Sequence, residues 1–461
     1  MPAFDDHQIM LCLAGLAYRG VHRTGAGRFH TETIGRSIAE GLDTLPPLAS
    51  GWDLAWGPAG YRAPVSVIDD TLLYVARDRQ RPRRYVVAIR GTNPGSAFDW
   101  AFGDLWAGHQ TPWAYGDGGA AVSLSTALGL TVLLQLRSDG PRSDVVTRIW
   151  DTVDARLDGI QMAATAAMEV LAALARPALR PMRHAFTDVV QAMLAVRGRL
   201  EADVANAPLG AVAARWQSRT RTLLLDLVAE AQPLTGGRAE LAVLALLETE
   251  AGLRAHLGTG ADLQQFLAGA VVRGADEIVV TGHSKGGALA STLALALAET
   301  QGDAGGWDPE RRATVHCWSY AGPTAGNAAF AARSDAIIGP RCHRIANALD
   351  VVPHAWSTDG LAAIAGLYDA RRVAPLAALA PLTAVITTAT AHLHYRHVGT
   401  HVTVLDGVLE PTAVDFVSQL VHQHMQAYCD LLGLAEHGIG TRTFFDPLTL
   451  LPGNGRAAIP A

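Results

Sequence analysis

Short apolar runs alternate along this chain with longer stretches in which apolar residues recur at helical spacing. Tyr85-Val-Val-Ala-Ile-Arg90 reads as a short buried strand. Glu277–Thr281, Thr314–Tyr320, Cys342–Ala346 and Val398–Leu405 read the same way. Such strands, several followed by glycine-rich loops and separated by helical stretches, predict a mostly parallel sheet with helices on both faces. Between residues 142 and 256 the pattern changes. Strand signals fade, and 148–174, 183–200, 209–231 and 240–257 carry apolar residues near helical spacing, broken at Pro177, Pro181 and Pro233. The expected organisation is an α/β catalytic domain over 1–141 and 257–461, with 142–256 a large helical insertion. That insertion is either a structural appendage or a cap over an active site. No repeat of solenoid period interrupts the pattern.

Composition narrows the class. Of 461 residues, 49% are hydrophobic and 17% charged, which excludes an intrinsically disordered chain. Lys plus Arg total 37 against 43 Asp plus Glu, a formal charge of −6, so no basic excess argues for nucleic acid. The four cysteines, Cys12, Cys317, Cys342 and Cys429, lack the spacing of a disulfide scaffold or a zinc site. No metal and no organic cofactor is expected. Mean hydropathy is +0.16, which raises the question of a membrane span. The two best stretches, 120–136 and 361–393, are too short or too polar to cross a bilayer. The opening MPAFDDHQIM has two acids and no basic segment, unlike a secretory signal. A cytoplasmic protein is the default expectation, with signal-independent export left open.

The strongest chemical signal is Ile278-Val-Val-Thr-Gly-His-Ser-Lys-Gly-Gly287, followed by an alanine-rich run. Strand, G-x-S-x-G and helix in that order describe a nucleophile elbow. Gly282 and Gly286 let strand and helix approach around a sharp turn, and Ser284 stands at its tip. A chance G-x-S-x-G in a glycine-rich chain is the alternative; the flanking strand and helix weigh against it. A serine hydroxyl needs a base, and the base needs an orienting acid. In this arrangement the acid follows the serine in the chain and the histidine comes last. Asp350, past a strand and before Pro353, fits the acid better than Asp303 or Asp308 in a glycine-rich loop, or Asp335 in a helical stretch. Arg90-Gly-Thr92, after an early strand, supplies a second element. The backbone N–H groups of Thr92 and Lys285 are the candidate oxyanion donors. The alternative for Thr92 is an N-cap for the helix that follows.

These segments together resemble the class 3 (fungal-type) lipase family of α/β-hydrolases. The shared features are a strand followed by Arg-Gly-Thr and a tryptophan-bearing helix, Gly-His-Ser-Lys-Gly-Gly, and Tyr320-Ala-Gly-Pro-Thr-Ala-Gly-Asn327. Asn347-Ala-Leu-Asp-Val-Val-Pro353 and Tyr395-Arg-His-Val-Gly-Thr400 complete the set. The resemblance covers about residues 85–135 and 265–432. It implies an α/β-hydrolase fold, Ser284 as nucleophile, Asp350 as acid and Thr92 at the oxyanion hole. It also implies a short helical lid just after Thr92, with Phe98, Trp100 and Phe102 facing lipid. Two features depart from the family. The separation of Thr92 from Ser284 far exceeds that of the compact family domain, and Lys285 stands where leucine is more usual. Lys285 would act through its backbone, so the departure bears on head-group preference.

The base is the hardest assignment. Six of 17 histidines lie between 392 and 424. His397 precedes the last strand, whereas sites in open α/β sheets lie beyond the carboxyl ends of strands; the family does not use this histidine as its base either. His401 falls within the strand. That leaves His422 and His424. At helical spacing His424 shares a stripe with Val417, Val421, Tyr428 and Leu431, while His422 points away. The family pattern, a base a few residues before an aromatic, also fits His424 and Tyr428. His424 is the expected base and His422 the alternative.

The function expected is a serine carboxylester hydrolase, a lipase or esterase. It would act on lipid-like or small esters, with contact to a lipid interface, through a Ser-His-Asp triad and an acyl-enzyme. A phospholipase, including one exported as an effector, is an alternative. A non-catalytic lipid- or partner-binding relative is the alternative of another class.

Overall fold

The computed structural model describes residues 4–21, 27–49, 51–61, 71–92, 107–138 without 109 and 117, 260–369 and 379–444. The expected insertion at 142–256 and the expected lid residues Phe98, Trp100 and Phe102 lie outside them.

Seven strands form the main sheet: β1 (Trp52–Tyr61), β2 (Thr71–Asp78), β3 (Arg84–Ile89), β6 (Glu277–His283), β7 (Thr314–Tyr320), β9 (Cys342–Asn347) and β11 (His401–Leu405), in that spatial order. The ladder is antiparallel from β1 to β3 and parallel from β3 to β11. A smaller antiparallel sheet joins β4 (Gln110–Pro112), β5 (Ala121–Ser123), β8 (Gly326–Asn327) and β10 (Tyr395–Arg396). The sequence pattern did not foresee β1 and β2. It also ran the last strand too early. Gly399, at a φ of +96°, turns the chain against Cys342, so residues 395–396 pair in the small sheet and β11 begins only at His401.

The central strands are buried on both faces, as their continuous apolar runs require. Tyr85, Val87 and Ile89 of β3, with Ile278 and Val280 of β6, enter one core. That core also holds side chains of α3 (Leu124–Gln135), α4 (Leu263–Val272) and α5 (Lys285–Glu299). Val86, Ala88 and Val279 point the other way, into a core shared with α1 (Asp6–Leu16) and α2 (Gly27–Thr44). Alternation along a pleated strand divides the side chains in this way.

The apolar stretch 120–136 is therefore β5 followed by a core helix, with Ala127, Leu130 and Leu133 fully buried. Leu361, Ile364 and Tyr368 pack a third, small cluster with Leu409 and Phe416. Among the described residues, no helix is long and apolar enough to cross a membrane. All four cysteines are buried and reduced.

Candidate active site

The sheet ends its parallel strands at one edge, and the predicted residues gather there. β6 runs into α5 through Ser284, whose backbone sits at φ 62°, ψ −133°. A non-glycine residue rarely adopts this conformation, and its neighbours must hold it there. Here they do. The Ser284 N–H donates to the Tyr320 carbonyl at 2.9 Å, and its own carbonyl starts the first turn of α5. The flanking glycines are needed sterically. A Cβ on Gly286 would come within 2.6 Å of the Ile89 carbonyl oxygen, and one on Gly282 would collide with the Gly286 carbonyl. Ser284 begins a helix without capping it with its side chain. Its Oγ instead lies 2.9 Å from His424 Nε2.

Asp350 is fully buried and holds the other side of that ring. His424 Nδ1 lies 2.9 and 3.0 Å from its two carboxylate oxygens. The carboxylate also accepts from the Val352 N–H at 3.0 Å and the Tyr428 hydroxyl at 2.9 Å. Tyr428 in turn accepts from the Asn347 N–H at 3.0 Å. Burial, with Asp350 beside it, raises the Tyr428 phenol well above its ordinary pKa, so it stays a donor. Asp350 is acceptor-only when ionised, so the proton between it and His424 sits on Nδ1 and leaves Nε2 to accept from the serine.

The oxyanion candidates stand close by. A Cβ on Gly91, the residue before Thr92, would come 2.9 Å from Ser284 Cβ. Lys285 is the first residue of α5. A cleft with about 290 Å³ of empty space, part of it open to solvent, lies beside the elbow. Lys285, Ala288, Ser125, Thr126, Thr324 and Trp356 line it.

The structure corrects the reason given for His424. Val417 and Val421 are half exposed, at 50% and 55%, so they form no buried stripe. The buried positions of α9 (Phe416–Val421) are Phe416 and Gln419, and Gln423 is buried just beyond it. A π-turn at His422–Gln426 then resets the phase before α10 (Ala427–Leu431) buries Ala427, Tyr428 and Cys429. The extra residue per turn swings His424 towards Ser284. His422 lies 4.0 Å from Asp430 instead.

His397 is also closer to the site than the strand-edge argument allowed. Its Nε2 donates to the Pro353 carbonyl at 2.7 Å, three residues past Asp350. Burial, reinforced by Arg344, pushes its pKa down to about 4. His401 is exposed on the edge strand. Asp308 is not the solvated residue expected: it is fully buried, accepting from Gln301, the Arg312 N–H and the Ala313 N–H. Asp335 accepts from the Gly399 N–H.

Residues 218–359 match the family described as Lipase (class 3). Among solved structures, the M37 lipase is 25% identical, with 96% of each chain covered and a TM-score of 0.64. The chain is a lipase-like hydrolase, similar to the class 3 lipases over residues 218–359. Its mostly parallel, helix-flanked sheet is the α/β-hydrolase fold. Lipase II from Rhizopus niveus matches at 13% identity over 76% of this chain and 74% of that one, with a TM-score of 0.30. The Lip2 lipase of Yarrowia lipolytica matches at 12% over 92% and 95%, with a TM-score of 0.37. No curated protein sequence matches. In this lipase-type chain the matched family segment contains Ser284 and Asp350 but ends before His424.

Sequence reasoning missed three contributors: Tyr428 as a bond to Asp350, Asn347 behind it, and His283. His283 Nε2 lies 2.8 Å from the His424 carbonyl and its Nδ1 lies 3.0 Å from the Tyr18 hydroxyl. These are contacts across long sequence separations, and no local pattern encodes them.

Proposed function

We propose that the chain is a serine carboxylester hydrolase that cleaves lipid-like esters through an acyl-enzyme. The carrying observation is the pair of bonds on one ring: Nε2 to Ser284 Oγ, Nδ1 to buried Asp350. Ser284 Oγ attacks the ester carbonyl while His424 Nε2 takes its proton. Asp350 keeps the imidazole in the required tautomer and stabilises its cation. The backbone N–H groups of Thr92 and Lys285 receive the oxyanion, each worth a few kcal/mol of barrier, on the order of 3. His424 then gives its proton to the leaving alkoxide. A water, deprotonated by the same nitrogen, releases the acid and restores Ser284. No metal or organic cofactor enters these steps.

Lipid-like substrates are the reading that the likeness to the M37 lipase supports. Phe98, Trp100 and Phe102 belong to that reading as a lipid-facing lid, on sequence grounds. A phospholipase is the second reading, favoured by Lys285 lining the cleft beside the nucleophile. The test is hydrolysis of chromogenic esters of increasing acyl length, then of a triacylglycerol and a phospholipid, with Ser284→Ala as control. Turnover that vanishes in the control supports the proposal, and the two lipids separate its readings. Turnover that survives Ser284→Ala contradicts it.

A further inference from the structure

We propose that His283 is a positioning residue, a relay that ties Tyr18 of the N-terminal segment to the main-chain carbonyl of His424 and so aims the π-turn bearing the base. The inference rests on the reading of His424 as that base.

The hydrogen bonds admit one direction. The His424 carbonyl can only accept, so the proton of the His283 ring is on Nε2, 2.8 Å away. In a neutral imidazole Nδ1 is then an acceptor, so the Tyr18 hydroxyl, at 3.0 Å, donates to it. The neutral form is the one the site enforces. Burial, then the neighbouring His424, push the His283 pKa down to about 3. The His283 and His424 rings lie 4.7 Å apart, so a second cation beside a protonated base would be costly.

Tyr18 is a firm anchor. The helix before it is stitched to the sheet by three side-chain hydroxyls. Tyr320 donates to the His7 carbonyl at 2.6 Å, Thr281 to Met10 at 3.3 Å and Tyr74 to Leu13 at 2.6 Å. The Tyr18 hydroxyl also packs against Gly91, where any Cβ would collide with it. It therefore sits between the strand ends that carry Thr92 and Ser284. The far end of the relay is a π-turn, where backbone register is locally offset. A side-chain donor from the core strand fixes that carbonyl, and with it the direction of the His424 ring. A shift of the base by about 1 Å costs on the order of 10²-fold in rate.

The test uses Tyr18→Phe, His283→Ala, His283→Gln and the double variant Tyr18→Phe/His283→Ala in the full chain. A soluble short-chain ester is the substrate, and active sites are counted by phosphonate titration. His283→Ala should lower kcat per active site roughly 100-fold with KM within about threefold. His283→Gln, whose amide can donate to the same carbonyl, should recover to within about tenfold of the parent. Tyr18→Phe should lower kcat about fivefold alone and have no further effect beside His283→Ala, as coupled residues do. The inference is overturned by an unchanged kcat in Tyr18→Phe or in folded His283→Ala, or by a glutamine variant no better than alanine. An additive double variant overturns it as well. Tyr18→Phe keeps the fold's packing and decides the matter if His283→Ala does not fold. Turnover surviving in Ser284→Ala would instead defeat the triad reading, which separates the two failures.

Discussion

Arg137 and Asp262 face each other across an isolated antiparallel bridge. Beside them Ser138 N–H donates to the Ala261 carbonyl at 3.2 Å, and Arg137 Nη1 to the Gly260 carbonyl at 3.0 Å. Residues 137–138 and 260–262 are therefore in direct contact. Everything proposed for catalysis lies outside the intervening stretch. Replacing residues 142–256 with a short glycine–serine loop should give a folded protein, because the ends already meet. Its kcat/KM on a short soluble ester should stay within about tenfold, while selectivity among long acyl chains changes. A folded excision variant with no short-ester turnover would place essential chemistry in the insertion.

The three histidines near the site should separate cleanly. Removing a member of a Ser-His-Asp triad typically costs about 10⁴-fold or more. His424→Ala should show that loss with an unchanged far-ultraviolet spectrum, and Asp350→Asn should resemble it through the wrong tautomer. His422→Ala should stay within about tenfold, since its nearest charged partner is Asp430 at 4.0 Å. His397→Ala removes one bond to the Pro353 carbonyl and should also stay within about tenfold. Steady-state kinetics on one ester ranks all four variants. A His422→Ala loss larger than that of His424→Ala would assign the base to the wrong residue.

Tyr428→Phe tests the support behind the acid. It deletes one of the donors to Asp350 and leaves the buried Asn347 N–H without its acceptor. An unsatisfied buried group costs about 1–3 kcal/mol, so urea unfolding should register a loss of that size. Turnover should fall only about threefold to tenfold, because Val352 N–H and His424 still fix the carboxylate. Stability equal to that of the parent protein would mean the hydroxyl contributes nothing there.

Acid should weaken the fold through His283. Its folded pKa is about 3, against about 6.5 for an ordinary histidine. Between these values the unfolded chain binds a proton that the folded chain refuses. Unfolding free energy therefore falls as pH drops from about 6.5 towards about 3, by roughly 1.4 kcal/mol per pH unit for one such group, and is fully present above that window. Urea titrations at pH 5 and 7 should show a smaller pH difference in His283→Gln than in the parent. An equal difference would mean that His283 is not held neutral.

Much of this site was legible because its signals are local. A buried strand, two glycines around Ser284 and a helix lie contiguous in sequence, and Asp350 follows its strand within a few residues. What stayed hidden depends on geometry that no fixed period describes. The helical wheel pointed to His424 but assumed an unbroken α-helix, and the π-turn at His422–Gln426 breaks that phase. Val417 and Val421 accordingly face outward. β1 escaped notice because it mixes polar and apolar positions around Gly57 and Pro58, where its register shifts; β2, with its apolar run Leu72–Ala76, carried a legible strand signal that was passed over. The Tyr18–His283 contact joins residues from opposite parts of the chain and becomes visible only once the sheet has formed.

Ser284 Oγ is the atom on which the proposed chemistry turns, and an alkyl phosphonate reads it directly. An activated serine attacks phosphorus, and the oxyanion donors hold the product. Peptide mapping after treatment of the full chain should find one label per molecule, on Ser284, formed far more slowly in His424→Ala. A label on another residue, no label at all, or equal labelling rates in the two proteins would contradict the triad.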